Sequence, residues 1–345
     1  MTTSPAAPDD SLALPIGDPA LADRLRAGLR DVEAKLEEST LSEAPFVTQA
    51  ARHLMTAGGK RFRPLLVLLA AETGDAEHTD VDGVVTSACV VELTHLGSLY
   101  HDDVMDEAAL RRGTDSANAR WDNHVAILTG DFLFAKSSEL TARLGADAVR
   151  IQAQTFAELV EGQILETLGP GPEEDPLDHY LRVVAGKTGS LIATSARYGA
   201  RYSGASPEVE EALTAYGAEI GTAFQLSDDI LDIASESHQS GKTPGTDLRE
   251  GVPTLPVLIA LRQSGPGSRD AAARRLRELV EAGLADDAHH AEALELLRTH
   301  PALDEARSYV MDRARRAQRH LEAVPAGPAR DALDAFAELV ATRSR

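Results

Sequence analysis

Two acidic triplets with the same spacing are the most conspicuous chemical feature of this sequence. Each has the pattern Asp-Asp-x-x-Asp, in Asp102, Asp103 and Asp106 and again in Asp228, Asp229 and Asp232. With 55 acidic residues in 345 positions, one such triplet is expected by chance about once in a chain of this size. On a helix each trio falls within an arc of about 100°. Apolar residues precede both trios, which predicts that the trios end buried helices rather than line a solvated face.

Carboxylates clustered at the end of a buried helix repel one another unless a cation neutralises them. Magnesium is the cation predicted here, because this hard ion takes oxygen ligands and shares one or two carboxylates with phosphate oxygens and water. Zinc has no matching ligand spacing, and the isolated pair His289-His290 is interpreted as a surface feature. The acidic motifs therefore predict a Mg²⁺ site for a phosphorylated ligand.

Basic and polar residues along the chain would complete such an anion site. The segment 58–64 opens a helix, where backbone N–H groups with Lys60 and Arg63 favour an anion, although an ordinary basic cap is an alternative. His95 lies seven residues before Asp102 on the same helical stripe, and a structural histidine is its alternative. The further candidates are Arg111, Arg112, Lys187, Thr188, Gln225 and Lys242. The Lys187-Thr188 pair does not belong to a phosphate-binding loop, because position 181 is Leu where that loop requires Gly.

The elements that must position these residues are predicted to be mainly helices, because apolar residues recur with helical spacing along most of the chain. Apolar spacing near 3.6 predicts helices at Leu21–Leu36, Arg63–Glu72, Val81–Asp106, Val125–Leu144, Asp147–Thr167, Leu177–Tyr198, Glu208–Ile233 and Leu255–Arg262, with shorter helices to Arg343. No strand pattern of useful length occurs. We therefore predict an all-α fold: a flexible arm over residues 1–19, rich in Pro, Ala and Asp, and one helical domain over residues 20–345.

Composition narrows the function classes further. The net charge of -21 argues against a general nucleic-acid binder and requires that any anion site be a local cluster of cations or metal ions. The single cysteine, Cys89, forms no internal disulfide framework, which favours a reducing, cytoplasmic compartment. The acidic N-terminus lacks a signal-peptide pattern, and no apolar stretch is long enough for a membrane span.

The order of these residues resembles that of a known family, the trans-isoprenyl diphosphate synthases or polyprenyl synthetases. The resemblance rests on the following segments: Gly59 to Pro64, His95, His101 to Asp106, Arg111 to Gly113, Gly186 to Thr188, Phe224 to Asp232, Gly241-Lys242, Gly245 to Leu248 and Thr254 to Pro256. It covers roughly residues 45 to 260. It implies one helical bundle around a deep central cavity, a homodimer, and two substrates, isopentenyl diphosphate and an allylic diphosphate.

The resemblance also implies a role for each matching residue. Asp102, Asp106, Asp228 and Asp232 would contact Mg²⁺, with Asp103 and Asp229 supporting them. Isopentenyl diphosphate would be held by Lys60, Arg63, His95 and Arg112. The allylic diphosphate would be held by Arg111, Lys187, Thr188, Gln225 and Lys242. The sequence departs from the pattern at Val252, where many relatives have lysine, so one phosphate contact and the closing of that loop are in question.

Product length depends on the residues one turn before the first triplet. Short-chain members of the family carry aromatic residues there, whereas this chain has Gly97 and Ser98. Small residues would leave a tunnel for a long product, about C30 to C50 by analogy. Close helix packing is the alternative explanation of the two small residues, and Leu93, Thr94 or a facing helix could cap the tunnel lower down.

Three other functions remain as alternatives. A short-chain geranylgeranyl or farnesyl diphosphate synthase is the strongest, and the pair Gly97-Ser98 argues against it. A class I terpene cyclase would normally have an Asn-Asp-x-x-Ser-x-x-x-Glu second motif, which this chain lacks. A non-catalytic partner subunit would usually lose the aspartates or basic residues that are present here.

Overall fold

The computed structural model describes residues 12, 14, 16–234, 244–263 and 271–343. Most of the predicted arm and the candidate Lys242 lie outside these residues. The prediction of an all-α fold is confirmed, since helices account for nearly all the regular structure of the described residues. The chain divides into two compact units, Met1–Ala153 with Thr194–Thr214 and Ala323–Phe336, and Gln154–Ala193 with Ala215–Glu322 and Ala337–Arg345. The single domain over residues 20–345 stays a prediction.

The described residues of the first half of the chain form six helices and a two-stranded hairpin. They are α1 (Pro19–Ser39), α2 (Pro45–Thr56), α3 (Phe62–Ala71), α4 (Val81–Met105), the strands β1 (Leu110–Arg111) and β2 (Thr114–Asp115), α5 (Ala117–Arg120) and α6 (Asn123–Arg143). The side chains of Asp18, Asp80 and Asp122 accept hydrogen bonds from the first-turn N–H groups of α1, α4 and α6. Such N-caps fix where these helices begin.

The central element of the first unit is α4. Nearly every side chain from Gly83 to Gly97 is buried, because α1, α3 and α6 surround the helix. A helix that is apolar all round needs this cover. The helix ends at Met105, with Asp106 as its C-cap. The buried body of α4 therefore carries the first acidic motif to its C-terminal end.

The second half of the chain continues with α7 (Ala146–Leu168), α8 (Pro176–Val184), a π-helical turn (Ala185–Gly189), α9 (Ser190–Tyr202) and α10 (Pro207–Ala234). Then follow α11 (Thr246–Arg249), α12 (Leu255–Gln263), α13 (Ala271–Ala282), α14 (Asp287–Thr299), α15 (Ala302–His320), a 3₁₀ turn (Leu321–Ala323) and α16 (Pro328–Thr342). The buried helix α12 packs against α8, α13, α14 and α15 in the second unit. No described helix is both long and apolar enough to cross a bilayer.

Three details differ from the sequence prediction. His290, which was interpreted as a surface residue, is buried, and its Nε2 lies 2.8 Å from the Gly245 carbonyl oxygen. Helix α2 was not predicted, although Pro45 is a favourable first residue for a helix. The predicted helix Leu177–Tyr198 is interrupted, because Ala185–Gly189 forms a π-helical turn between α8 and α9. Side-chain periodicity does not reveal such a widening of the backbone hydrogen-bond ring.

Candidate functional site

The first acidic motif divides into one buried and two accessible carboxylates. Asp103 has no exposed surface, whereas Asp102 is half-buried and Asp106 is exposed. Arg111 Nε donates to Asp103 Oδ1 at 2.6 Å, and Asp103 Oδ2 is buried without a hydrogen-bond partner among the described residues. Burial raises the pKa of Asp103, and the hydrogen bond from Arg111 opposes this shift. Asp103 therefore supports the end of α4, and Asp102 and Asp106 are the accessible carboxylates of the motif.

A tight hairpin places Arg111 and Arg112. Leu110 pairs with Asp115 and Arg111 with Thr114, so Arg112 and Gly113 form a two-residue turn. Both turn residues have positive φ, 54° and 75°, as hairpin turns that match the strand twist require. Arg111 then reaches Asp103, while Arg112 Nη1 donates to the carbonyls of Leu54 at 2.8 Å and Gly58 at 2.5 Å.

The loop between α2 and α3 carries further cations in an unusual backbone conformation. Gly58, Gly59 and Arg61 all have positive φ, at 105°, 135° and 47°. For a non-glycine residue the left-handed region costs about 1–2 kcal/mol, so the contacts of Arg61 must hold it there. Lys60, between Gly59 and Arg61, is exposed, and Arg63 lies in the first turn of α3.

Arg63, Arg112 and His95 influence one another electrostatically within the first unit. Desolvation, with Arg112 nearby, lowers the pKa of Arg63 to about 10, although Glu92 opposes the shift. The pKa of His95 lies well below its ordinary value, because the surrounding protein desolvates the ring and Arg63 and Arg112 repel its proton. At neutral pH the cluster therefore combines charged guanidinium groups with a neutral imidazole. Such a set can donate hydrogen bonds to a diphosphate.

The second acidic motif lies near the C-terminal end of α10 and is also divided. Asp229 is buried, accepting a hydrogen bond from Gln225 Nε2 at 3.1 Å and another from the Tyr180 hydroxyl. Its pKa is raised well above the ordinary value, first by burial and then by the charges of Asp247, Asp232 and Glu166. Asp229 is thus held inside the second unit by neutral donors.

The other two aspartates of this motif contact different elements. Both carboxylate oxygens of Asp232 accept from the backbone at the start of α11, from the N–H groups of Thr246 and Asp247 at 3.3 Å. Asp228 is half-buried and forms an ion pair with Arg343, whose guanidinium also lies 4.5 Å from the ring centroid of Phe224. Sequence reasoning identified the aspartates but not Arg343, which is 115 positions away.

The π-helical turn presents Lys187 and Thr188. Lys187 Nζ lies 2.5 Å from Glu166 Oε2 on α7, and the Thr188 hydroxyl donates to Gln225 Oε1 at 3.3 Å. A methyl group on Gly162 would lie 2.5 Å from the backbone nitrogen of Lys187, so the turn packs directly on this glycine. Isolated π turns are often found at functional sites. The second unit thus brings together three candidates: Lys187, Thr188 and Gln225.

The two small residues before the first motif differ in their surroundings. Ser98 is half-buried and donates to the His95 carbonyl at 2.9 Å. Gly97 is buried against the ring of Phe134 on α6. That ring also meets His101 edge-on, with centroids 5.4 Å apart. Close packing therefore explains why residue 97 is glycine. The role of Ser98 in product length stays a prediction.

Comparison with known proteins gives consistent matches over most of the chain. Residues 44–297 match the polyprenyl synthetase family. A nonaprenyl diphosphate synthase of Mycobacterium tuberculosis is 48% identical over 328 residues, 95% of this chain and 96% of that protein. A crystal structure of geranylgeranyl pyrophosphate synthase from Corynebacterium glutamicum, complexed with calcium and isoprenyl diphosphate, has a TM-score of 0.85 at 44% identity, over 96% of this chain and 99% of that one. A decaprenyl diphosphate synthase structure from Rhodobacter capsulatus has a TM-score of 0.82 at 35% identity, over 94% and 99%.

Proposed function

The chain belongs to the polyprenyl synthetase family, and we propose that it condenses isopentenyl diphosphate with an allylic diphosphate, head to tail, to give a trans-polyprenyl diphosphate. The observation that supports this most directly is the group of Arg63, Arg112 and neutral His95 beside the exposed Lys60. A chain with a net charge of -21 would otherwise repel a diphosphate. We assign this group to isopentenyl diphosphate.

The carboxylates fit a hard divalent cation. In the described residues no three His, Cys, Asp or Glu side chains converge closely enough to enclose an ion. Mg²⁺ is usually held by one or two carboxylates and completed by phosphate oxygens and water. Within the first unit Asp102 and Asp106 would hold Mg²⁺, and within the second unit Asp228 and Asp232 would do so. When bound, the ion would stabilise negative charge on the departing diphosphate.

The chain's own residues supply the remaining functions. Lys187, Thr188 and Gln225 would donate to the allylic diphosphate, which places fixed donors where charge develops as the C–O bond breaks. Arg111, whose Nε donates a hydrogen bond to Asp103 Oδ1, would also donate to the allylic diphosphate. Among the described residues no side chain is an obvious base for the final proton loss, so we infer that the departing diphosphate accepts the proton.

We further propose a long product, about C30 to C50, by analogy with the nonaprenyl and decaprenyl relatives. A short-chain synthase is the second candidate, favoured by the Corynebacterium relative and by the Phe134 ring against Gly97. Ser98→Phe tests whether Ser98 limits product length, because it leaves the packing of Gly97 against Phe134 unchanged. It should shorten the products, and unchanged product lengths would remove Ser98 from the tunnel wall.

We propose a cytoplasmic homodimer. The exposed apolar side chains of Ile127 and Leu128 on α6, at 40% and 65% exposure, support a self-association surface. The buried, unpaired Cys89 suits a reducing compartment. Light scattering during size-exclusion chromatography tests the dimer, which Leu128→Asp should dissociate. A monomeric wild-type protein at micromolar concentration would contradict it.

The decisive experiment is incubation with isopentenyl diphosphate and each candidate allylic primer, with Mg²⁺ or with chelator, followed by product sizing. We expect elongation that requires the metal and is abolished by Asp102→Ala. Asp82→Asn is a matched control, because Asp82 is an exposed carboxylate that forms an ion pair with Lys35 at the start of α4. Failure to elongate any primer would refute the proposed function, and elongation that persists in chelator would refute the metal role.

A further inference from the structure

A buried carboxylate lies in the middle of α4, ten residues before the first acidic motif. Only 2% of Glu92 is exposed, although its neighbours on the helix are apolar. Arg61 Nη1 lies 3.2 Å from Glu92 Oε1, with side-chain exposures of 11% and 3% for the two residues. Burying a charge is unfavourable unless it is paired. Glu92 and Arg61 are therefore an internal ion pair rather than a surface pair.

Arg61 does not offer its guanidinium group to a ligand, because protein acceptors already surround that group. Besides Glu92, it contacts the carboxylate of Glu33 on α1 and donates to the Met55 carbonyl at 2.8 Å. Its backbone is left-handed at the start of α3. Conformations that L-residues avoid persist where surrounding contacts over-determine them, and such positions cluster at ligand sites.

The backbone conformation of Arg61 determines where the two neighbouring side chains that are candidates for binding diphosphate, Lys60 and Arg63, lie. Lys60 precedes it directly, and Arg63 follows two residues later on the first turn of α3. Arg112 also holds this loop, because it donates to the carbonyls of Leu54 and Gly58. Arg61 and Arg112 thus satisfy carbonyls at the end of α2 while they hold the loop between α2 and α3.

Glu92 also balances the charges in this part of the first unit. Its negative charge acts on Arg61, Arg63 and Arg112, whereas these guanidinium groups otherwise repel one another. Among the described residues Arg63 Nε is buried without a hydrogen-bond partner. The buried anion thus keeps converging cations in place before a diphosphate arrives to neutralise them.

We propose that Glu92, acting through Arg61, is a positioning residue that fixes the loop 58–63 so that Lys60 and Arg63 bind isopentenyl diphosphate. This inference rests on the proposed function for the identity of the ligand. Glu92 itself contacts no substrate. The pair should control the affinity for isopentenyl diphosphate and leave the affinity for the allylic substrate unaffected.

Steady-state kinetics of Glu92→Gln provide the test. The change keeps the shape of the side chain and removes its charge. We expect KM for isopentenyl diphosphate to rise about tenfold or more, with KM for the allylic substrate within about twofold of wild type. Glu92→Asp should recover part of the loss. Glu72→Gln is the matched control, because Glu72 forms a more exposed ion pair with Arg24 and should leave both KM values unchanged.

Two further measurements separate positioning from folding and from the proposed function. If Glu92→Gln does not fold, the double variant Arg61→Met with Glu92→Leu removes the pair without leaving a lone buried charge. It should fold and show the same selective rise in KM. Calorimetric titration of the metal-free protein with isopentenyl diphosphate should show the same loss of affinity, independently of turnover.

Folded variants that keep the wild-type KM and affinity for isopentenyl diphosphate would overturn the proposal. An equal rise in both KM values would also overturn it, since that result indicates a general structural role. A wild-type protein that binds isopentenyl diphosphate through Glu92-dependent contacts but elongates no primer would instead refute the proposed function.

Discussion

The ring of Phe134 packs directly on Gly97. A methyl group on Gly97 would lie 2.9 Å from Cε1 of Phe134, which is closer than real contacts of this kind allow. The small residue on α4 therefore admits an aromatic ring from α6. An aromatic side chain is thus present one turn before the first aspartate, although it comes from another helix. Phe134 becomes the residue on which product length can be tested.

Phe134→Ala should lengthen the products. Removing the ring opens space beside Gly97 where an extending apolar tail can lie, and half-buried Phe134 can be truncated at a modest cost in stability, about 1–3 kcal/mol. Chromatography of the dephosphorylated products measures their length. Phe132→Ala is the matched control, because that ring lies on the same helix with Lys136 over its face at 5.6 Å. Identical product lengths for wild type and Phe134→Ala would show that the ring does not limit growth.

Tyr180→Phe should weaken the affinity for Mg²⁺ without changing the fold. The Tyr180 hydroxyl donates to Asp229, so its removal leaves a buried carboxylate with one fewer donor and less fixed beside Asp228 and Asp232. Partners that orient metal ligands typically contribute 10- to 100-fold to metal affinity, and we expect the Mg²⁺ concentration for half-maximal activity to rise by about tenfold.

The control for this prediction is Tyr202→Phe, since the Tyr202 hydroxyl donates to the Leu144 carbonyl in the first unit, away from the second acidic motif. Thermal unfolding should confirm that both variants are folded. A Mg²⁺ titration of Tyr180→Phe that superimposes on the wild-type curve would exclude a role for Tyr180 at the second motif.

The sequence predicted the helices whose apolar residues recur with helical spacing. It also predicted the motifs, which occur in a recognisable order along the chain. Val81–Asp106 was predicted as a helix, and α4 spans Val81–Met105, because apolar spacing reports helical burial directly. The positions of both acidic motifs followed from the same spacing. The burial of the Asp103 side chain did not follow from this spacing, because it depends on the hairpin that carries Arg111.

The side-chain pairings that could not be predicted from the sequence join segments that lie far apart along the chain. Tyr180 meets Asp229 across 49 positions, and neither spacing nor composition links the two. The sequence does not distinguish Glu92 from the other acidic residues, because its burial and its pairing with Arg61 depend on tertiary packing. Pairing across a fold is decided by tertiary packing rather than by local propensity.

His95→Gln should flatten the pH dependence of stability in mildly acidic solution. The folded-state pKa of His95 lies well below the unfolded value of about 6.5, so below that pH the unfolded chain binds a proton that the folded chain does not. Wild-type stability is then fully present above pH 6.5 and falls as pH decreases, by up to about 1.4 kcal/mol per pH unit from this group. Arg61, Arg63, Arg111 and Arg112 all oppose its protonation.

Urea unfolding between about pH 5 and pH 7.5 measures this effect. Other titrating groups contribute equally to wild type and variant, so the difference between their slopes isolates His95. His124→Gln is the matched control, since the His124 side chain is 92% exposed. Equal slopes for wild type and His95→Gln would show that the ring takes up a proton in the folded protein as it does in the unfolded chain.

Gly162→Ala should displace the π-helical turn that carries Lys187 and Thr188. The new methyl group would lie 2.5 Å from the Lys187 nitrogen and 3.0 Å from the Gly186 carbonyl carbon, and backbone atoms cannot move aside as a flexible side chain can. Such overpacking typically costs about 1–3 kcal/mol of stability. We expect a lower melting temperature and a raised KM for the allylic diphosphate, with KM for isopentenyl diphosphate little changed. Gly171→Ala, whose methyl group would meet only Glu174 Oε2 at 3.9 Å, should change neither quantity. If Gly162→Ala lowers stability but leaves the allylic KM at the wild-type value, the turn supports the fold without holding the substrate.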